Sequence, residues 1–268
     1  MAFSPTQYSD ANAILSKLLS GLQITLADQF VGLYLYGSLA SGDFDPRRSD
    51  VDFLVVTRAI LPDETLAALD AMHAEITNSG MIFARRLEGV YIPIALLPRY
   101  ERHSAVHPCL CCGGEFYKEA QQDSDWIIQR HILREQGVIV AGPPIRSLLD
   151  PVQPDDLRGA VCGFVRDWWA PMLECSDHLR DREYQAYATL TFCRALYTLR
   201  FGEIRSKVMS ARWVLQAHAP RWKGLIERSL AWPDGPQPDE YEQTVALLRY
   251  VIEETSEFKM YNAEKHSF

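Results

Sequence analysis

The stretch that decides the fold is YGSLASGDFDPRRSDVD, residues 36–52. Its Gly-Ser pair closes a run, residues 30–36, whose aromatic and β-branched side chains predict a strand. A loop with Gly, Asp and Pro follows, and an Asp-Val-Asp triplet then opens a second run, residues 51–57. Because this second run is apolar nearly throughout, it predicts a strand that is covered on both faces.

The triplet places two carboxylates one residue apart at the start of that strand. Alternate residues of a strand point to the same face, so Asp50 and Asp52 are expected to point the same way, beside the Gly-Ser turn. Two such carboxylates repel each other unless a cation lies between them. Mg²⁺ takes oxygen ligands, commonly one or two carboxylates with substrate phosphates, and a glycine turn suits a phosphate. An exposed strand edge would also explain an isolated Asp-x-Asp, but the neighbouring Gly-Ser pair favours a metal–triphosphate site.

A third carboxylate follows in ARRLEGVYIPI, residues 84–94, where Glu88 begins a further apolar run. This run predicts a third strand, residues 87–97, that is broken or bent at Pro93. If it lies beside the second strand, Glu88 reaches the same pocket as Asp50 and Asp52. There it could take a proton from an attacking hydroxyl group or complete a metal shell.

The rest of the chain predicts two regions that differ in secondary structure. Helical spacing of apolar residues appears at residues 7–22, 62–76 and 126–136, whereas residues 98–124 predict an irregular segment. Prolines at 143, 144, 151 and 154 indicate a domain boundary. Beyond it, residues 157–172, 183–201, a segment from about 206, and 239–258 predict helices. The fold class is therefore expected to be α+β: a mixed-sheet domain, 1–152, followed by an all-α helical bundle, 153–268.

Composition limits the possible partners. The 268-residue chain has a formal charge of −8 and no Lys/Arg run, which argues against a nucleic-acid partner. This charge would suit a cationic small molecule, although taken alone it is better explained by solubility. No apolar run reaches the ~18 residues of a membrane span, and residues 1–10 do not resemble a secretory signal. Six scattered cysteines fit the cytoplasm. The segment HSAVHPCLCC, residues 103–112, suggests zinc, but its Cys-x-Cys-Cys spacing favours an irregular loop near the acceptor pocket.

Four segments together resemble a known family. YGSLASGDFDPRRSDVDFLVV is similar to the signature of the nucleotidyltransferase superfamily with the DNA polymerase β-like fold. RRLEGVYI, HILREQGVIVAGPP and YATLTFCRALYTLRFGEIRSKVMSARWVL resemble segments of the aminoglycoside adenylyltransferases of the streptomycin/spectinomycin type. The first motif is shared by the whole superfamily, whereas the last is much more specific to this family.

The resemblance implies a reaction and a set of roles. The family transfers AMP from ATP, bound between its two domains, to a drug hydroxyl group, and pyrophosphate is released. By the match, Asp50 and Asp52 would hold two Mg²⁺ ions, and Glu88 would be the catalytic base and a further metal ligand. The remaining matches are expected to bind the nucleotide: Gly37 and Ser38 on the β- and γ-phosphates, and Arg194 and Lys207 from the helical domain.

The positions that recognise the acceptor depart from the family. Phe116 stands where the family has a tryptophan, and Tyr184 stands where it has an acidic residue. Asp181 and Glu183 could supply the missing charge, although a solvated helix start explains them equally well. The expected protein is a monomeric adenylyltransferase with an aminoglycoside acceptor. Two alternatives remain: the same chemistry on a metabolite or protein acceptor, and a nucleotide-binding sensor without catalysis.

Overall fold

The computed structural model describes residues 4–98, 106–121, 126–174, 177–217, 219–236 and 238–265. Contacts divide the chain into two units. The first unit comprises Met1–Gln122 and Gln129–Pro151, and the second comprises Asp123–Ile128 and Val152–Phe268. The later break therefore falls next to residue 152, while a short earlier segment groups with the second unit.

The first unit is built on a mixed sheet. Its strands are β1 (Phe30–Leu35), β2 (Val51–Thr57), β3 (Leu87–Pro93), β4 (Val106–Cys111), β5 (Glu115–Gln121) and β6 (Val138–Ala141). Within the described residues the order is β5-β4-β3-β2-β1-β6. Strands β2 and β3 are parallel, and the other neighbouring pairs are antiparallel. This agrees with the mixed sheet that the sequence predicts.

Two long helices cover one face of this sheet. They are α1 (Ser9–Leu26) and α3 (Asp63–Thr77); the short α2 (Gly37–Ser41) follows β1, and α4 (Trp126–Gln136) precedes β6. The apolar stripes of α1 and α3 form one buried cluster with Val51, Phe53 and Val55 of β2. Because side chains alternate along a strand, Asp52 lies on the face of β2 away from this cluster.

Two predictions for the first unit are wrong. Residues 98–124 are not irregular throughout, because β4 and β5 form a hairpin there; residues 99–105 and 122–124 lie outside the described structure. The third strand ends at Pro93 and not at residue 97, since a 3₁₀ turn, Ile94–Leu96, follows the proline. The hairpin was missed because much of β5 is polar and exposed.

The second unit is helical, as predicted. Its helices are α5 (Pro154–Phe164), α6 (Arg182–Phe201), α7 (Lys207–Ala217), α8 (Ala219–Ala231) and α9 (Tyr241–Lys265). Helix α6 packs against α7, α8 and α9. Helix α8 was not predicted, and a π-helical segment, Val165–Trp169, continues α5. Among the described helices, none combines the length and hydropathy that a membrane span requires.

His73 of α3 is an ionisable residue inside the core of the first unit. Its side chain is buried, its Nε2 atom shares a hydrogen bond with the Tyr91 hydroxyl group, and its ring stacks on Phe53 and Phe116. Burial lowers the pKa of His73 to about 3, because a charged imidazole would lose its hydration there. The folded protein therefore carries a neutral His73 near neutral pH.

The free energy of unfolding should decrease as the pH falls below about 6.5, because of His73. Unfolded His73 binds a proton near its ordinary pKa of about 6.5, whereas the folded state does so only near pH 3. Between those values the unfolded state holds more protons, so stability is lost at up to ~1.4 kcal/mol per pH unit as pH falls. Urea unfolding at several pH values measures this slope. His73→Phe should reduce it, and an equal slope in that variant would contradict the assignment.

Candidate active site

The parallel pairing of β2 and β3 brings the predicted carboxylates together. Asp52 lies directly opposite Glu88 in the register, and Val51 lies opposite Leu87. Paired residues of neighbouring strands share a face, so Asp52 and Glu88 both project away from the helix-covered core. Asp50 precedes β2 by one residue and lies within 4.8 Å of Glu88, measured between ligand oxygen atoms.

The turn of the β4–β5 hairpin reaches the same carboxylates. The backbone N–H of Cys112 donates a hydrogen bond to Glu88 Oε1 at 3.2 Å. The Cys112 Sγ atom and one oxygen atom each of Asp50 and Glu88 all lie within 4.8 Å of one another. Burial, followed by the charges of Glu88 and Asp50, raises the pKa of the Cys112 thiol, which is therefore protonated near neutral pH.

Gly37 and Asp52 are in close contact at the end of β1. Gly37 has a φ of +61°, in the left-handed region, and a Cβ atom added to it would overlap the Asp52 carboxylate. The backbone N–H of Tyr36 donates to the Asp52 carbonyl oxygen at 3.1 Å, which fixes the strand end against the second strand. Ser38 is the next residue, within α2, and is half-buried. The sequence-predicted Gly-Ser pair thus lies beside the Asp-x-Asp motif.

The predicted nucleotide-binding cations belong to the second unit. Arg194 of α6 is half-buried and lines a small cavity whose other walls include Trp169, Phe192 and Thr198. Lys207 is the first residue of α7, which Ser206 caps through a hydrogen bond from the Met209 N–H. Its Nζ atom lies 3.8 Å from the centroid of the Tyr187 ring. Both cations are thus held against apolar or aromatic surface of their unit.

The predicted acceptor residues of the second unit lie at the start of α6. Asp181 is the N-cap, and its Oδ1 accepts the backbone N–H of Tyr184 at 2.9 Å. Glu183 is exposed in the first turn. The Tyr184 ring lies 5.6 Å from that of Tyr187 and 5.8 Å from that of buried Trp169, measured between centroids. Asp181 therefore has a capping role, and Tyr184 belongs to an aromatic cluster.

The structure corrects the placement of Phe116. In the sheet register Phe116 pairs with Leu110, which pairs with Gly89. Gly89 is one residue from Glu88, so Phe116 lies on the opposite face of the sheet from that carboxylate. Its ring packs against His73 and the core, with centroids 5.6 Å apart. Phe116 is partly buried against the core and lies on the other face of the sheet from Asp52 and Glu88.

The carboxylate face carries side chains that the sequence interpretation did not assign to the site. Cys109 pairs with Val90, so Cys109 and Cys111 face the same side as Glu88, and Glu115 pairs with Cys111. The Sγ atoms of Cys109 and Cys111 are 4.0 Å apart. Two adjacent glycines, Gly113-Gly114, between short runs were the available hairpin signal in the sequence.

Two family models match the chain. A model described as a nucleotidyltransferase domain matches residues 25–85, which span β1, β2 and α3. A model described as the C-terminal domain of aminoglycoside adenylyltransferase matches residues 147–257, which form most of the helical unit. The first match contains the Gly-Ser pair and both aspartates, and the second contains Arg194 and Lys207.

Curated relatives and a solved structure extend this similarity over most of the chain. A spectinomycin 9-adenylyltransferase of Campylobacter jejuni is 25% identical over 262 residues, covering 90% of this chain and 94% of the relative. An aminoglycoside (3'') (9) adenylyltransferase of Escherichia coli is 24% identical, covering 81% and 83%.

The fold is similar to that of the spectinomycin adenyltransferase AAD(9) from Enterococcus faecialis, solved with ATP and spectinomycin. The TM-score is 0.73 at 18% identity, covering 91% of this chain and 98% of that one. This likeness supports the predicted α+β nucleotidyltransferase fold with a helical second part. The two matched domains in this order, together with relatives that cover most of the chain, support the aminoglycoside adenylyltransferase family for this chain.

Proposed function

We propose that this protein transfers AMP from ATP to a hydroxyl group of an aminoglycoside and releases pyrophosphate. The observation that carries the proposal is the arrangement of three carboxylates on one face of the sheet. Asp52 and Glu88 lie opposite each other in parallel strands, and Asp50 approaches Glu88 from the preceding loop. A protein that only binds a nucleotide does not need a carboxylate placed to accept a proton.

The donor set fits a divalent cation. Mg²⁺ prefers oxygen ligands and is commonly held by one or two carboxylates together with substrate phosphates. We assign Asp50 and Asp52 as the residues that hold two Mg²⁺ ions, with Glu88 as a further ligand. Such ions neutralise charge that develops on the transferred phosphoryl group and on the leaving group. Metal dependence of the reaction is therefore expected.

The chain's own groups would carry out the proton transfer and the positioning. Glu88 accepts the proton of the acceptor hydroxyl group while that oxygen forms a bond to the α-phosphorus of ATP. The bond from this phosphorus to the oxygen bridging the β-phosphate breaks, and pyrophosphate leaves on the opposite side. Gly37 allows backbone to approach closely, and we assign it with Ser38 to the β- and γ-phosphates.

Arg194 and Lys207 are proposed to bind the nucleotide from the helical unit. The apolar side chains around Arg194 reduce its contact with water, which strengthens its attraction for an anion. Lys207 lies in the first turn of α7, where the helix dipole also favours anions. Their replacement by Ala should raise the KM for ATP more than the KM for the acceptor.

The acceptor is expected to be cationic and to meet aromatic surface. The chain carries a net charge of −8, which favours cation binding. Tyr184 and Tyr187 form neighbouring rings at the start of α6, and exposed Glu183 adds a carboxylate nearby in sequence. We propose Tyr184 and Glu183 as acceptor-binding residues, whereas Asp181 acts through the helix cap that it forms.

A coupled assay tests the function directly. The protein is incubated with ATP, Mg²⁺ and a panel of aminoglycosides that includes spectinomycin and streptomycin, and pyrophosphate release is followed. We expect release that depends on an acceptor, and a mass increase of that acceptor by one adenylyl group. If ATP raises the melting temperature but no acceptor gives pyrophosphate, the proposal fails. The result would then favour a nucleotide-binding sensor without catalysis.

Gly37 provides a prediction about positioning. Gly37→Ala would place a Cβ atom in the space of the Asp52 carboxylate and force that side chain to move. Because a displacement of ~1 Å near reacting groups can lower rates by about 10²-fold, we expect a loss of that size in kcat/KM. Steady-state kinetics with saturating Mg²⁺ measures it.

The matched control is Gly42→Ala. Gly42 has a φ of +83°, so alanine is strained there as at Gly37, but nothing lies within 4 Å of the added Cβ atom. Both variants should lose about 1–2 kcal/mol of stability through the backbone, and only Gly37→Ala should lose transfer. Equal kinetic losses in the two variants would attribute the effect to backbone strain and not to Asp52.

A further inference from the structure

Cys112 gives the acidic pocket a ligand of a different chemical type. Its Sγ atom lies within 4.8 Å of the ligand oxygen atoms of Asp50 and Glu88, which are themselves within that distance of each other. The three groups come from three separate segments: the loop before β2, strand β3 and the turn after β4. No other group of this kind is formed by the His, Cys, Asp and Glu side chains in the described part of the chain.

The backbone holds the thiol in this position. The Cys112 N–H donates to Glu88 Oε1, and the N–H of Gly113 donates to the Arg85 carbonyl oxygen at 2.8 Å. Gly114 packs so closely on Thr77 at the end of α3 that an added Cβ atom would overlap it. The turn is therefore fixed to both β3 and α3, and it presents the thiol to the carboxylates without a rearrangement of the sheet.

A thiolate changes which cations the pocket prefers. Mg²⁺ has little affinity for sulfur, whereas Zn²⁺ and Cd²⁺ bind thiolates and carboxylates together. Open zinc sites use three protein ligands and leave a fourth position for water or substrate. Atoms bound to one tetrahedral ion lie roughly 3–4 Å apart, so the three groups need only small side-chain rotations.

We infer that Asp50, Glu88 and Cys112 form a binding site for a thiophilic divalent cation, Zn²⁺ or Cd²⁺. On binding, the S–H bond of Cys112 breaks, a metal–sulfur bond forms, and the proton passes to solvent. Two of the ligands are also proposed Mg²⁺ ligands, so the two classes of cation should compete. The site itself does not require the transfer reaction, and its test is independent of the proposed function.

Cd²⁺ titration of the full chain, without ATP or acceptor, tests this inference. A cadmium–thiolate bond absorbs in the ultraviolet, and we expect saturable absorption at one ion per chain. Cys112→Ser should lower the Cd²⁺ affinity at least tenfold and remove the ultraviolet absorption of the cadmium–thiolate bond. Cys112→Ala should do the same, and far-UV circular dichroism shows whether each variant is folded.

The neighbouring thiols supply the matched control. A Cys109→Ser/Cys111→Ser double variant keeps Cys112 and should keep the cadmium signal. Glu88→Gln should weaken binding while the signal at saturation remains, and excess Mg²⁺ should raise the apparent Kd of Cd²⁺. Unchanged binding in folded Cys112→Ser, or loss of binding in the double variant alone, would overturn the assignment. Cadmium binding by a protein that shows no transfer activity would leave it intact.

Discussion

Replacement of Glu88 by Gln is expected to lower the rate of adenylyl transfer by about 10²–10⁴-fold, the range that a positioned general base contributes. The amide cannot accept the hydroxyl proton, although it retains an oxygen for the Cys112 N–H, which donates to Glu88 at 3.2 Å. Single-turnover kinetics at saturating ATP and acceptor measure the chemical step.

The matched control for this change is Glu64→Gln. Glu64 is exposed in the first turn of α3, and surface changes of this kind alter stability by less than about 0.5 kcal/mol. It should leave transfer unaffected. ATP binding should persist in Glu88→Gln. A lower transfer rate in that variant then reports the loss of the chemical step and not the loss of ATP binding. A Glu88→Gln enzyme as active as its parent would remove the base assignment.

Replacement of Asp50 by Asn should weaken the binding of Mg·ATP by more than ~100-fold. Removal of a group that only orients a metal ligand already lowers metal affinity by about 10–100-fold, and Asp50 is proposed as a ligand itself. Isothermal titration calorimetry with ATP at fixed Mg²⁺ measures the affinity. Raising the Mg²⁺ concentration should recover part of the binding by mass action.

Asp63→Asn provides the corresponding control. Asp63 is exposed at the N-terminus of α3, beyond the other end of β2. Its replacement by Asn removes the same carboxylate charge. Its variant should bind Mg·ATP like the parent. An unchanged affinity in Asp50→Asn would contradict the ligand role, and metal coordination would then have to be assigned to Asp52 and Glu88 without it.

Strand β2 shows why part of the site could be predicted from sequence. Its apolar run predicted the bounds Val51–Thr57, which are those observed. The alternation of side chains then placed Asp50 and Asp52 on one face without any knowledge of the neighbours. The placement of Glu88 beside the two aspartates required one further assumption, that β3 lies next to β2. The parallel register of the two strands confirms that assumption.

The β4–β5 hairpin was not predicted from local sequence patterns. Strand β5 lies at the edge of the sheet and is largely exposed, so its sequence lacks the apolar alternation of a buried strand. Its position depends on pairing with β4 and on the packing of Gly114 against Thr77. The family match assigned Phe116 to the acceptor, whereas the observed register turns its side chain to the other face, since a one-residue difference in register reverses the direction of a side chain.

The sequence by itself determined the elements that local patterns encode: the first strands, the acidic pair after the Gly-Ser turn, and most of the helices. Only the tertiary structure decided which side chains meet Glu88. It placed Cys112 there and Phe116 against the core on the other face, because strand register and hairpin position depend on contacts between residues distant along the chain. Those contacts carry no local periodicity, so no window of sequence could reveal them.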